Sequence, residues 1–140
     1  DKNVSIKRRY GVEVKEEKIP LYMLVTENVL EWGKGTNGNV GLVVGATSPI
    51  EFNNIVSYVA RRERRTPILI PGVGAQGGDI IPIIHYLLQS GIEIPIQRIN
   101  SSRALDYAWQ RYGTPERYWE ATVNEIKRVN DMMREAGLEL

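Results

Sequence analysis

Three short apolar runs, set between stretches of helical periodicity, constrain this chain more than any other feature. Val40-Gly41-Leu42-Val43-Val44-Gly45 is apolar without alternation, the pattern of a strand covered on both faces of a parallel sheet. Pro67-Ile68-Leu69-Ile70-Pro71 repeats the pattern. Ile92 to Ile99 reads as a third strand region, broken by Pro95 and Gln97, because proline cannot donate to a ladder.

Helical segments surround these runs. Pro20 suits a first helical turn, and Leu21, Leu24, Val25, Val29 and Trp32 recur at helical spacing. That helix stops at Gly33-Lys34-Gly35-Thr36-Asn37-Gly38, which lacks the Gly-Lys-Ser/Thr ending of a phosphate loop and reads as a connection. Thr47 or Ser48 is placed to cap a second helix, with Pro49 in its first turn and Glu51 completing a capping box. Its buried stripe is Phe52, Ile55, Val56 and Val59. A third helix carries Ile80, Ile81, Ile84, Leu87 and Leu88 and closes at Gly91. A short helical piece from Ala104 to Tyr112 precedes a final helix, with Thr114 as cap, Pro115 at its first position and Trp119, Val123, Ile126, Val129 and Met133 as its stripe.

Alternation of this kind makes an α/β fold with a parallel sheet and right-handed crossovers. Three strands alone leave two bare edges, so residues 1–140 read as a partial domain, a little under half of an eight-fold barrel. Residues 1–18, rich in charge and opening at Asp1 without a methionine, read as an exposed flexible loop, and a fragment of a longer product is expected.

Composition narrows the chemistry. The 140 residues carry a formal net charge of +1, which gives no reason to expect nucleic acid or an anionic membrane as partner. No cysteine is present and His85 is the single histidine, so thiolate catalysis, disulfides and Cys- or His-rich metal sites are excluded or nearly so. Lys7-Arg8-Arg9 and Arg61-Arg62-Glu63-Arg64-Arg65 read as a solvated cluster and as cations complementing a helix C-terminus. No apolar run nears the roughly 20 residues of a membrane span and no signal peptide is visible, so a cytoplasmic protein is the default.

Two loops carry the candidate chemistry. Gly72-Val73-Gly74-Ala75-Gln76-Gly77-Gly78-Asp79 holds four glycines and one long polar side chain. Glycine lets backbone N–H groups approach an anion, the following helix adds its positive end, and the Gln76 amide can donate to phosphate. Asn100-Ser101-Ser102-Arg103 follows the next strand directly, and a guanidinium grips phosphate with parallel donors. After adjacent strands, the two form a phosphate clamp on one rim. His85, within a helix, reads as a packing or surface residue. No constellation among these residues can run acid–base or nucleophilic chemistry unaided.

Gly41-Leu42-Val43-Val44-Gly45-Ala46-Thr47-Ser48-Pro49, Ile70 through Asp79, and Asn100-Ser101-Ser102-Arg103-Ala104 resemble, in order, the sixth strand and turn, the seventh strand and phosphate loop, and the eighth-strand arginine motif of bacterial-type orotidine 5′-phosphate decarboxylases. Pro20-Leu21-Tyr22 is similar to the start of their fifth helix. The resemblance covers residues 19 to 112 firmly and the last helix loosely. It implies the C-terminal half of a (β/α)8 TIM barrel and a lyase that converts orotidine 5′-monophosphate to uridine 5′-monophosphate in pyrimidine synthesis, without cofactor or metal. It implies that Gln76 and Arg103 hold the 5′-phosphate, helped by Gly77, Gly78 and Ser102, with Pro71, Val73 and Thr47 near base and ribose. The family's catalytic Asp-x-Lys-x-x-Asp cluster is absent, so no catalytic residue is assigned here. Activity then requires an N-terminal half-barrel as partner, and complete barrels are expected to pair as homodimers. Two other readings stand beside this one: a phosphate-binding relative such as a sugar-phosphate epimerase or synthase, and a non-catalytic half-barrel kept for assembly or sensing.

Overall fold

The computed structural model describes residues 2–35, 40–74 and 76–139; the Thr36-Asn37-Gly38 part of the first connection and Ala75 of the glycine loop lie outside them. The chain divides into two compact units, Asp1–Val40 and Gly41–Leu140.

In the first unit, residues expected to form a loop instead make an antiparallel hairpin of β1 (Asn3–Tyr10) and β2 (Glu13–Pro20), paired from Asn3↔Pro20 to Tyr10↔Glu13. Gly11 and Val12 form the two-residue turn, with φ +64° at Gly11 and no positive φ at any described non-glycine residue. That is the pattern of a type II′ turn, which needs glycine first. Val4, Ile6 and Arg8 alternate as the less exposed positions of β1. The Arg8 guanidinium lies 3.2 Å from a Glu17 carboxylate oxygen and also pairs with Glu27 of α1 (Leu21–Gly33). So Arg8 ties strand to strand and strand to helix. In α1 the expected stripe is not the buried one. Leu21, Val25 and Trp32 are exposed, whereas Thr26 is buried with its hydroxyl donating to the Tyr22 carbonyl at 2.8 Å.

The second unit holds a parallel sheet in the order β3-β4-β5, formed by Leu42–Val43, Ile68–Ile70 and Arg98–Ile99. Strands in chain order joined by right-handed crossovers carry both connecting helices on one face. Those helices are α2 (Pro49–Arg62) and α3 (Ile80–Ser90). Leu42, Val44, Ala46, Ile68 and Ile70 are buried, as are Phe52, Val56 and Val59 of α2 and Ile83, Ile84 and Leu87 of α3. The alternate strand positions are bare: Val43 is 71% exposed and Leu69 41%. Cover on both faces, as the sequence suggested, is therefore not found within this chain. One face is covered, and the uninterrupted apolar run marks what each strand could bury.

Local chemistry refines the helices. Glu51 lies in the first turn of α2, but Ser48 makes no side-chain cap bond, and its carbonyl accepts from the Phe52 N–H at 2.9 Å. Asp79 caps α3 by accepting from Ile81 N–H at 3.0 Å, and Gly91 closes it with φ +77°. The inward residues of α3 include Ile83, while Ile81 and Leu88 face solvent. The arginines at and just after the end of α2 serve the fold. Arg62 stacks over the Tyr58 ring at 4.8 Å, Arg64 Nε donates to the Gly91 carbonyl at 2.6 Å, and Arg65 pairs with Glu93 at 3.3 Å.

The third strand is shorter than its sequence suggested. Ile94–Ile96 form a 3-10 turn, and the Gln97 side chain replaces the missing ladder. Its Oε1 accepts from Ile68 N–H at 2.8 Å, while its Nε2 lies 2.8 Å from the Glu93 carbonyl and 3.3 Å from that of Thr66. Two short helices follow, α4 (Ser102–Asp106) and α5 (Ala108–Tyr112). The last helix is preceded by a 3-10 turn at Pro115–Arg117, and α6 runs Tyr118–Glu135. The Thr114 hydroxyl makes no cap bond and is buried without a partner. The expected α6 stripe is turned outward at Trp119, Val123 and Ile126, while Ala121 and Glu125 are buried. Among the described residues no helix is long and apolar enough to cross a membrane.

Candidate functional site

The loops that leave β3, β4 and β5 gather at the same end of the sheet. Parallel pairing continues past the strands, with Val44 N–H donating to the Leu69 carbonyl and Ala46 N–H to that of Pro71, both at 2.9 Å. Asn100 N–H donates to the Ile70 carbonyl at 2.9 Å. The turn at Thr47, the glycine loop and the Asn100-Ser101-Ser102-Arg103 segment thus start from one level.

The glycine loop folds on itself. Gly72, Gly74 and Gly77 have positive φ. Gly78 N–H donates to the Gly72 carbonyl at 3.0 Å, Gly77 N–H to that of Gly74 at 2.8 Å, and Gly74 N–H to that of Gly78 at 2.9 Å. A Cβ on Gly78 would stand 2.5 Å from the Gly72 carbonyl oxygen and 2.9 Å from the Ala46 Cβ, so only glycine fits there. These amides are donated within the loop, and the Asp79 carboxylate already caps the following helix. These three N–H groups and the Asp79 carboxylate thus serve the loop's own shape, while the Gln76 side chain is exposed, with its Oε1 near Gly72.

The second segment is braced against the first. The Ser101 hydroxyl donates to the Val73 carbonyl at 3.0 Å, and the Ser102 hydroxyl to Asn100 Oδ1 at 2.8 Å. Gln76, Ser102, Arg103, Pro71 and Val73, five of the residues singled out from sequence, line one small cavity of about 70 Å³. Gly77, Gly78 and Thr47 are not in its lining, although Thr47 lies against Gly72. Arg103 makes no ion pair with any described residue. An exposed guanidinium without a carboxylate partner among the described residues thus lines the same small cavity as the Gln76 side chain. His85 is exposed on α3, apart from this cavity.

Arg103 also lines a larger cavity of about 740 Å³ with Tyr107, Gln110, Arg111, Glu125 and Arg128. Glu125 was not singled out from sequence. Its side chain is 1% exposed and accepts from Arg128 Nε at 3.0 Å and Nη2 at 2.7 Å; the Tyr112 hydroxyl lies at 3.3 Å and Arg111 Nε at 3.5 Å. The Arg128 hydrogen bonds hold this carboxylate below the usual carboxylate range, against the opposing effect of burial, with Arg111 and Tyr112 adding to them. A lowered pKa in the folded state means that Glu125 stabilises the fold fully above its unfolded value of about 4.3 and loses that contribution as pH falls through its folded value. The stability gap between the parent protein and Glu125→Gln should therefore shrink as pH is lowered from about 6 to about 3, in urea denaturation. A gap independent of pH would contradict this assignment.

No family model and no solved structure matches the chain. Curated proteins do. It is 34% identical over 113 residues to the orotidine 5′-phosphate decarboxylase of Natronomonas pharaonis, covering 81% of this chain and 38% of that protein. It is 45% identical over 92 residues to the enzyme of that name from Cupriavidus metallidurans, covering 64% and 30%. For Delftia acidovorans the figures are 47% over 75 residues, 54% and 25%. The chain spans between a quarter and two-fifths of the length of these relatives.

Proposed function

We propose that this chain, a partial relative of the orotidine 5′-phosphate decarboxylases, supplies the phosphate-binding part of such an enzyme, which releases carbon dioxide from orotidine 5′-monophosphate to leave uridine 5′-monophosphate. The observation that carries the reading is the convergence of Gln76 and the unpaired Arg103 on one cavity at the mouth of adjacent parallel strands. Ser102 completes the polar wall, Gly77 and Gly78 keep the loop in shape, and Pro71, Val73 and Thr47 stand towards ribose and base. Gripping a phosphate far from the reacting carbon provides binding energy that can be used at that carbon. Loss of carbon dioxide leaves a carbanion at C6 of the base, which needs preorganised positive charge and a proton.

That proton donor has no candidate on this sheet, since β3, β4 and β5 carry no lysine. The reading therefore includes an N-terminal half-barrel that brings the lysine and aspartates, as a separate chain or as more of the same one, and complete barrels that pair as dimers. Three features support a missing cover: the match to only a quarter to two-fifths of the relatives' length, the bare Val43 and Leu69 on one sheet face, and the exposed Trp119, Val123 and Ile126 on α6. Sequential strand order with both helices on one face is also the arrangement of a closing barrel.

Calorimetric titration of the natural protein, with any further polypeptide it carries, tests the reading. Uridine 5′-monophosphate and its 6-substituted analogues should bind much more tightly than ribose 5-phosphate, and orotidine 5′-monophosphate should be turned over. Equal affinity for ribose 5-phosphate would favour a sugar-phosphate relative instead. Tight nucleotide binding without turnover would favour a non-catalytic role.

A further inference from the structure

Arg103 belongs to the first turn of α4, and α4 with α5 forms a short, interrupted helical stretch. Two helices of five residues each hold their own position weakly. The last helix ties both down through polar groups. The Thr122 hydroxyl of α6 lies 3.1 Å from the Leu105 carbonyl of α4 and 3.0 Å from the Tyr118 carbonyl. Glu125, one turn further along, receives the Tyr112 hydroxyl and the Arg111 guanidinium from α5.

A buried carboxylate is an expensive way to join two helices, since a well-packed apolar side chain of similar size would serve as well or better. What the charge adds is direction: it accepts only where donors stand, so it fixes α5 in one rotation and height against α6. Arg128, on the same helix, supplies two further hydrogen bonds. This matters for Arg103, which lines the same cavity as Glu125. With two guanidinium groups already paired to it, Glu125 offers Arg103 little net attraction, and Arg103 remains available for an anion.

Building on the phosphate-clamp reading, we infer that Glu125 and Thr122 are positioning residues for Arg103: they hold α4 and α5 against α6 so that its guanidinium stands over the cavity shared with Gln76. Neither is required to touch the ligand.

The test compares uridine 5′-monophosphate with uridine, because only the former carries the charged group that Arg103 would meet. Variants Glu125→Gln, Thr122→Val and Thr122→Ser are made in the natural protein with any further polypeptide it carries, with Arg103→Ala as the reference. Glu125→Gln and Thr122→Val should weaken monophosphate binding on the order of 10-fold while uridine binding changes by less than about 2-fold. Thr122→Ser, which keeps the hydroxyl, should restore the parent ratio. If Glu125→Gln does not fold, Thr122→Val and its serine rescue decide the matter. An unchanged monophosphate-to-uridine ratio in folded variants, or equal losses for both ligands, would overturn the positioning role. An unchanged ratio in Arg103→Ala would instead remove the phosphate-clamp reading on which it rests.

Discussion

Arg103→Ala should weaken binding of uridine 5′-monophosphate by about 2 kcal/mol, roughly 30-fold, while leaving uridine nearly unaffected. The reason lies in what surrounds the guanidinium. It has no acidic partner among the described residues, so the variant strands no buried carboxylate, and the loss reports on the ligand alone. Arg103→Lys should recover part of the affinity, because an ammonium keeps the charge but not the two parallel donors. The effect should fall with added salt, since Arg103 is exposed and exposed charges are screened. Isothermal titration with both ligands at low and high salt measures all of this. Equal losses for nucleotide and nucleoside would remove the clamp.

Gly78→Ala should be among the most damaging single-methyl additions in the second unit. The added carbon would meet the Gly72 carbonyl oxygen at 2.5 Å and the Ala46 Cβ at 2.9 Å, and both neighbours are buried in the segments just past β4 and β3. Neither yields as the end of a flexible side chain would. A cost on the order of 3 kcal/mol is expected, which for a unit of this size is a fall in melting temperature of roughly 10 to 20 °C. Gly77→Ala is the control: its Cβ meets nothing within 4 Å, so only the strain of its φ of +87° remains, about 1 to 2 kcal/mol. If the two variants melt together, close approach at Gly78 is not what the loop requires.

The sequence made the helix–strand alternation and the two rim loops legible because both rest on local signals. Apolar runs, caps and glycines act over a few residues. Four of the inward positions of α2 and the end of α3 at Gly91 follow from such signals. What failed depended on partners. Leu21, Val25 and Trp32 in α1, and Trp119, Val123 and Ile126 in α6, do recur at helical spacing, yet periodicity names a face without saying what covers it. The hairpin escaped because its turn is Gly11-Val12, not an Asn-Gly pair, and because a charged residue, Arg8, takes an inward position that alternation reserves for apolar ones. Glu125 escaped for a related reason. A glutamate on an amphipathic helix reads as solvent-facing unless its partners are known. Arg128 three residues later was the available hint, but Arg111 and Tyr112 come from another helix.

Gln97 gives the rim a fixed origin. Its amide grips three backbone groups at the entrance to β4 and β5, so a one-residue slip of that strand would forfeit all three bonds together. Arg103 follows six positions later, after β5 is paired to β4 and the Ser101 hydroxyl is bonded to the Val73 carbonyl. Insertions and deletions should therefore be unequally tolerated along this stretch. A residue gained or lost between Gln97 and Arg103 would be transmitted whole to the guanidinium, whereas the same change in the exposed tip at Gly11-Val12 would be absorbed by the hairpin. Length variation among descendants of this chain should collect at the latter and avoid the former.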